Sequence, residues 1–279
     1  MFFFLIPSIM TLEKEYSRVF LGAKVIAPWP EDLPGGKIIQ ENYRHITLVF
    51  LGEIEKKVVE STLRQFPLPK FSIGLTGQFT KVLFLPPKHS HVVAYEAKFY
   101  EEKPFLFYQK QVMGWLKVEN IKVKNSSRQF YPHVTIARGN FEKQEWEKAF
   151  QKLPFYMDSI NLYESLGNSN YEVLHTHSPF APFEEIQHTA DIAFIVRGHT
   201  IQDLHRAAET ALAFKSPGLV NYFKEEITCH SIDEVIADLN EHVAHADSEI
   251  GCSFKAVSFH GDLQENKQGI LEWEMIIDV

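Results

Sequence analysis

The stretch HTHSPFAPFEE, at residues 175–185, divides the sequence into two units of different character. Two prolines, Pro179 and Pro182, lie in a run that has the period of neither a helix nor a strand, which predicts a linker. Charge changes at the same place: residues 1–180 hold 22 Lys and Arg against 18 Asp and Glu, and residues 181–279 hold 6 against 18. We therefore predict two domains, 1–180 and 181–279, with different partners, because only the first would tolerate a polyanion.

Composition places the chain among globular proteins. It has 279 residues, of which 45% are hydrophobic and 23% are charged. Its two cysteines, Cys229 and Cys252, provide neither a disulfide framework nor a cysteine-rich metal site, so we expect a reducing cytoplasm. The N-terminal MFFFLIPSIM lacks a basic leading segment and is too short to span a bilayer, and Met10 is an equally acceptable start.

The first unit alternates strand-like and helix-like segments, which predicts an α+β fold. The strand-like runs are SRVFLGAKVIA, RHITLVFLG, HVVAYEAKFY and YPHVTIARG. The helix-like segments are IEKKVVESTLRQF, KPFLFYQKQVMGWL and KQEWEKAFQKL.

The second unit is predicted as a small α+β domain in the order strand, helix, helix, strand, strand. DIAFIVRG has the composition of a strand, and ILEWEMIIDV and SFKAVSFHG form the final pair. Thr200 with Asp203, and Ser231 with Glu234, have the spacing of capping boxes that begin the two helices.

Two strand-like segments of the first unit carry the same motif, His-aliphatic-Thr. The motifs are His45-Ile46-Thr47 and His133-Val134-Thr135. Because strand side chains alternate between faces, each motif presents its imidazole and its hydroxyl on one side. If the two strands are neighbours, two imidazoles and two hydroxyls converge on one pocket.

Such a pocket suits phosphoryl transfer. A neutral imidazole can take a proton from the attacking group, an imidazolium can protonate the leaving oxygen, and the hydroxyls can hold the other phosphate oxygens without a metal. The alternative is that each histidine is a half-buried sheet residue bonded to its own threonine or to a backbone carbonyl.

The segments HITLVFLGEI, PHVTIARG and LYESLGNSNYEVL resemble the two-histidine phosphoesterases, in the RNA 2′,3′-cyclic phosphodiesterase branch once called 2′-5′ RNA ligases. The resemblance covers roughly residues 17–178. It implies two pseudo-symmetric lobes of antiparallel sheet with outer helices, each lobe supplying one His-x-Thr motif to a central cleft. It also implies hydrolysis of a terminal 2′,3′-cyclic phosphate of RNA to a 2′-phosphomonoester.

The same resemblance implies a role for each site residue. His45 would be the proton donor and His133 the acceptor. The residues that would bind substrate are Thr47, Thr135 and Arg138 at the phosphate, Arg128 within reach of it, and Phe130 against a base. A surface charge for Arg128 and a core aromatic for Phe130 are the alternatives.

The second unit has carboxylates at the start of its first predicted strand and at the end of its last. Asp191 enters an apolar strand, and Asp278 precedes the terminal carboxylate of Val279. Carboxylates that meet would need a hard cation such as Ca²⁺ or Mg²⁺ between them. The alternative is an N-cap and a frayed tail.

HTAD, FKAVSFHGDL and WEMIIDV resemble archease, which activates the tRNA-splicing RNA ligase, over roughly residues 183–279. The resemblance implies a divalent-cation site formed by Asp191, Asp278 and Val279, with Lys255 as a functional basic residue beside it. The unit lacks much of the middle insertion of a full archease, so the cation site could survive where ligase activation does not. His188 belongs to the motif but is not predicted as a ligand.

Together these resemblances predict an RNA end-processing enzyme whose acidic second unit assists an RNA ligase. One alternative is an adaptor without turnover that binds RNA ends and recruits the ligase. Another keeps the enzyme and changes the substrate to a small cyclic nucleotide. The pairs His175 with His177 and His242 with His245 are expected by chance among 13 histidines and are not predicted as metal sites.

Overall fold

The computed structural model describes residues 15–123, 130–226 and 228–279. The N-terminal MFFFLIPSIM and Arg128 lie outside these residues. The strands are β1 (Tyr16–Ile26), β2 (Lys37–Ile38), β3 (His45–Glu55), β4 (Thr76–Leu85), β5 (Val92–Phe99), β6 (His133–Arg138), β7 (Leu153–Gly167), β8 (Asn170–His177), β9 (Phe183–Ile186), β10 (Ile192–Gly198), β11 (Ala256–Glu265) and β12 (Leu271–Asp278). The α-helices are α1 (Lys56–Ser61), α2 (Glu102–Val118), α3 (Lys143–Ala149), α4 (Ile201–Lys215) and α5 (Ile232–Ile250).

The first sheet is antiparallel and has two arms that meet at β3 and β6. One arm runs β3, β1, β7, β8, and the other runs β6, β5, β4, with β2 on β6. β4 also pairs with the start of β7, where Thr76 lies opposite Tyr156, so the pairings close into a ring. The α+β class with antiparallel sheets is thereby confirmed.

Alternation along β3 and β6 places the two motifs as the sequence predicts. Ile46 and Val134 are fully buried in the core, whereas the histidine and threonine on either side of each remain half-buried. The period of two therefore separates a core face from a face that is open to a ligand.

Helices cover the outer side of this sheet. α2 buries Phe105, Tyr108, Val112 and Leu116, whose spacing of three and four places them on one face. Each such side chain stabilises the fold by about 1.5–3 kcal/mol through its burial. The helix predicted for IEKKVVESTLRQF is shorter than expected, because β3 continues through Glu55 and a 3₁₀ turn begins at Leu63.

The second unit has the predicted order of elements, preceded by the short strand β9. Its antiparallel sheet has the strand order β11, β12, β10, β9. α4 and α5 contribute to one core with the buried side chains of Trp273, Met275 and Ile277 of β12. Both predicted helix starts are confirmed, since the side chains of Thr200 and Ser231 accept hydrogen bonds from backbone N–H groups three residues on.

The predicted linker at residues 175–185 includes the end of β8 and the start of β9, and residues 178–182 connect the two strands. β8 extends to His177, and β9 begins at Phe183. Between the two prolines, the backbone N–H of Phe180 donates to Ser72 at 2.7 Å, and its carbonyl accepts from Gly74 at 2.8 Å. Proline lacks only its own N–H, so Phe180, which lies between the two prolines, can still form hydrogen bonds through both its N–H and its carbonyl.

The two units are in contact through α4 and β9. The ring of Tyr156 in β7 packs against Phe183 at 5.2 Å and Phe214 at 5.6 Å between centroids. Ser72 and His199 are hydrogen-bonded at 2.8 Å across the same boundary. Among the helices of the described ranges, none is long and apolar enough to cross a membrane.

Candidate active site

The pairing of β3 with β6 brings the two motifs together. Ile46 lies directly opposite Val134, and the strands are antiparallel. A local two-fold axis therefore passes between these residues, and His45 and Thr135 take neighbouring positions on one side of it. Thr47 and His133 are neighbours on the other side of the axis. The predicted convergence of two imidazoles and two hydroxyls follows from this register.

Both imidazoles are held in the same way. Nδ1 of His45 is 2.7 Å from the carbonyl oxygen of Tyr43, and Nδ1 of His133 is 2.8 Å from that of Tyr131. A carbonyl oxygen only accepts, so each Nδ1 must carry the proton. Each neutral ring therefore keeps a lone pair on Nε2, and each protonated ring has an N–H there. This tautomer is the one that proton transfer at Nε2 requires.

A cleft of about 300 Å³ lies beside the motifs. Four predicted site residues line it, namely His45, Thr47, Thr135 and Arg138. The lining also includes Arg18, so two guanidinium groups face the same space as the two threonine hydroxyls. This combination of donors matches the oxygens of a phosphate group.

Three aromatic rings enclose His45. Ring centroids of Phe20, Tyr163 and Tyr171 lie 4.8, 5.1 and 5.2 Å from the imidazole. Gly22 of β1 makes room for this arrangement, because a Cβ there would lie 3.1 Å from Cδ2 of His45. The sequence reasoning did not identify this cage, although Tyr163 and Tyr171 both belong to the quoted segment LYESLGNSNYEVL.

The enclosure changes the acidity of the histidines. Burial lowers the pKa of His45 to about 4, against the opposing effect of its hydrogen bond to Tyr43, and the charges of Arg138 and His133 lower it further. Burial, followed by the charge of Arg138, also lowers the pKa of His133. Both rings are therefore neutral near pH 7 in the free protein, and an anion bound in the cleft would favour their protonation.

Arg18 and Phe50 form a second feature that the sequence reasoning missed. The Arg18 guanidinium carbon lies 5.7 Å from the centroid of the Phe50 ring, and both residues line the cleft. Phe50 is 41% exposed and stacks on Phe20 at 5.4 Å. An exposed ring beside a cationic cleft offers a stacking surface for a base.

Phe130 lies apart from this cleft. Its ring packs against Phe105 of α2 at 5.9 Å, and it lines a separate pocket with Tyr131 and Pro132. This position favours the alternative interpretation of Phe130 as a core aromatic over its expected stacking on a base.

The predicted residues of the second unit also meet. Ile192 lies opposite Ile277, so Asp191 and Asp278 take neighbouring positions at the ends of β10 and β12. Lys255 donates to the backbone oxygen of Val279 at 2.5 Å, and its ammonium is 3.6 Å from Oδ1 of Asp278. The ammonium already balances part of the negative charge that a cation would balance.

Of the histidine pairs that were set aside, His242 and His245 occupy opposite environments. His245 is exposed and lies 3.3 Å from Glu249, whereas the side chain of His242 is 3% exposed and faces Glu209 and Asp238. His175 of β8 packs against the ring of Phe66 at 5.5 Å.

A scan against protein-family models finds no match, and neither does a search of curated proteins. Solved structures do resemble the chain. TT0787 of Thermus thermophilus is 19% identical with a TM-score of 0.43, over 58% of this chain and 97% of that one. E. coli LigT complexed with 3′-AMP is 17% identical with a TM-score of 0.41, over 59% and 98%.

A third solved structure, described as a phosphoesterase, is 15% identical with a TM-score of 0.41, over 60% of this chain and 99% of that one. Identities below 20% and TM-scores below 0.5 do not establish a family or an activity for the chain. The function proposed below is therefore based on the geometry of the cleft.

Proposed function

We propose that the first unit is a phosphoesterase of the two-histidine type that hydrolyses terminal 2′,3′-cyclic phosphates of RNA to 2′-phosphomonoesters. The observation that carries this proposal is the pair of imidazoles related by the Ile46–Val134 pairing. Each has its Nδ1 bonded to a backbone carbonyl and its Nε2 available. Binding alone would not need two matched proton-transfer groups.

The reaction uses each group once. One neutral imidazole accepts a proton from water as the water oxygen bonds to phosphorus. The bond between phosphorus and O3′ breaks, and the other imidazole, protonated at the start, donates its proton to O3′. The product carries a phosphate on O2′ and a hydroxyl at C3′. Thr47, Thr135 and Arg138 hold the non-bridging oxygens, where negative charge develops.

The two histidines differ in how readily they carry the starting proton. The family resemblance makes His45 the donor and His133 the acceptor. His45 is enclosed by three rings and its pKa is lowered to about 4, so it is the harder of the two to protonate. The environment of the free protein therefore favours the reverse order, with His45 as the base and His133 as the acid.

The Arg18–Phe50 surface supports a substrate that carries a base next to its phosphate, as an RNA end does. A ring that is 41% exposed beside the phosphate subsite can stack a neighbouring base.

For the second unit, we propose the role that its resemblance to archease implies. Asp191, Asp278 and Val279 would bind Ca²⁺ or Mg²⁺, with Lys255 at the rim, and the acidic surface would assist a tRNA-splicing-type RNA ligase in a reducing cytoplasm. Such a ligase joins ends of the kind that the first unit would open. Linking the two units raises the effective concentration of one activity near the other.

The deciding experiment incubates the purified full chain with a short RNA ending in a 2′,3′-cyclic phosphate, with and without EDTA, and identifies the product terminus. A 2′-monophosphate in both conditions supports the proposal. An unchanged terminus with RNA still bound favours the adaptor, and turnover restricted to cyclic mononucleotides favours the small-molecule alternative. His45→Ala, purified in parallel, reports activity from contaminating host enzymes.

A further inference from the structure

Four ionisable side chains face one another between α4 and α5. His205 and Glu209 are four residues apart on α4, and Asp238 and His242 are four apart on α5, so each pair lies on one helix face. His205 and Glu209 are 0% exposed, His242 is 2% exposed, and the side chain of Asp238 is 14% exposed. Ionisable groups are seldom buried unless they are paired or bind a metal.

The nitrogen and oxygen atoms of this cluster are spaced like the ligands of one small cation. Nε2 of His205 is 3.1 Å from Oδ2 of Asp238 and 3.9 Å from Oε1 of Glu209. Nε2 of His242 is 3.6 Å from Oδ2 of Asp238, and its Nδ1 is 3.8 Å from Oε1 of Glu209, so one of the two nitrogens would be the ligand atom. Tetrahedral ligands at about 2.0–2.2 Å from Zn²⁺ lie about 3.3–3.6 Å from each other.

Several buried nitrogen and oxygen atoms of this cluster form no hydrogen bond among the described residues. Among the described residues, both ring nitrogens of His205, both of His242, and Oε1 of Glu209 have no hydrogen-bond partner. A buried donor or acceptor left unpaired costs about 1–3 kcal/mol. One cation would bind one nitrogen of each imidazole and Oε1 of Glu209, which are three of these five atoms, whereas protonation of Glu209 would provide only one additional donor.

In each of the two carboxylates, the oxygen that points away from the histidines accepts a hydrogen bond from a cationic side chain. Arg206 donates to Oε2 of Glu209 at 2.8 Å, and Lys224 donates to Oδ1 of Asp238 at 2.5 Å. Each carboxylate therefore turns only its second oxygen toward the histidines. Cationic donors on the outer oxygens orient the ligand atoms, as the groups surrounding metal ligands commonly do.

We propose that His205, Glu209, Asp238 and His242 bind one divalent transition-metal ion, such as Zn²⁺, that ties α4 to α5. Two imidazole nitrogens select such an ion over Ca²⁺ and Mg²⁺, which prefer oxygen ligands only. Four protein ligands in a closed setting fit a structural site. The thiol of Cys229 borders it, since His205, Cys229 and Asp238 offer atoms within 4.8 Å of one another.

The test measures zinc per chain in the purified full-length protein after dialysis against Zn²⁺ and then against metal-free buffer. A Co²⁺-loaded sample reports the coordination through its visible spectrum. His242→Gln removes a ligand, and His245→Gln on the same helix is the matched control, because its side chain is 62% exposed. We expect about one Zn²⁺ per chain in the wild type and the control, a large loss in His242→Gln, and a tetrahedral Co²⁺ spectrum.

Wild-type protein that retains no stoichiometric zinc and gains no thermal stability from it would overturn the site. So would zinc that persists in His242→Gln but is lost in His45→Ala, because the metal would then lie in the cleft. If His242→Gln does not fold, Glu209→Gln provides the second ligand variant. The zinc stoichiometry and the Co²⁺ spectrum of the wild-type protein test the proposed site without any variant.

Discussion

Two pairs of histidines in this chain meet in very different surroundings. On β3 and β6, His45 and His133 each donate Nδ1–H to a backbone carbonyl, and His45 lines the cationic cleft. Between α4 and α5, His205 and His242 have no hydrogen-bonded ring nitrogen among the described residues, and they face two carboxylates.

The difference shows what a neighbouring group does to an imidazole. A carbonyl on Nδ1 selects one tautomer and leaves a single nitrogen for proton transfer near arginines that attract an anion. Buried carboxylates beside imidazoles that form no hydrogen bonds create a negative electrostatic potential, which attracts a cation. We thus propose acid–base chemistry for the histidines of one unit and metal binding for those of the other.

The largest expected effect is the loss of turnover when a cleft histidine is removed. His45→Ala and His133→Ala should each lower kcat by about two to four powers of ten, because one proton transfer loses its catalyst. Steady-state kinetics on the cyclic-phosphate RNA measures this, and His89→Ala, which removes an exposed histidine, is the control. Activity within a few-fold of wild type in both cleft variants would rule out the mechanism.

A substrate with sulfur in place of the bridging 3′-oxygen separates the roles of the two histidines. The sulfur leaves without a proton, so it should restore about tenfold or more of the rate in the variant that lacks the acid, and little in the variant that lacks the base. We expect His133→Ala to recover. Recovery of His45→Ala instead would restore the order implied by the family resemblance.

The folded-state pKa of His45 predicts a loss of stability in acid. It is about 4, against an ordinary value of 6.5, so between these pH values the unfolded chain binds a proton that the folded chain does not. Stability therefore falls as pH drops through this window, by on the order of 3 kcal/mol from this residue. Urea unfolding of wild type and His45→Gln should diverge in pH dependence below about pH 6.5, with the variant less sensitive.

An exposed histidine should not show this effect. His89→Gln serves as the control in the same urea series, and it should follow the wild type. Equal acid sensitivity in His45→Gln and wild type would mean that His45 is protonated normally in the folded state.

The smallest expected effect belongs to the predicted Ca²⁺ or Mg²⁺ site. Saturating Ca²⁺ should raise the Tm by a few degrees, as about 2.7 kcal/mol of binding linkage would at a hundredfold excess over Kd. Asp278→Asn should remove the rise, and Asp262→Asn, which alters an exposed carboxylate of β11, should not. A wild-type Tm that responds to neither Ca²⁺ nor Mg²⁺ would contradict this site.

Local patterns predicted β3 and β6, the strands that carry the two His-x-Thr motifs, because a period of two determines which side chains share a face. Capping pairs likewise located the starts of α4 and α5, since these hydrogen bonds form within one turn. The sequence reasoning did not identify β2, β4, β7, β8 or β9 as strands. Their pairing with distant strands, such as Thr76 of β4 with Tyr156 of β7, stabilises them more than their own pattern does.

The sequence by itself determined that His45 shares a face with Thr47, that His133 shares one with Thr135, and that Glu209 follows His205 by one helical turn. Only the tertiary structure decided that Ile46 meets Val134 and that α4 turns His205 toward Asp238 of α5. The physical reason is distance along the chain. Backbone geometry relates residues two to four positions apart, whereas packing of the whole core selects which strands and helix faces meet.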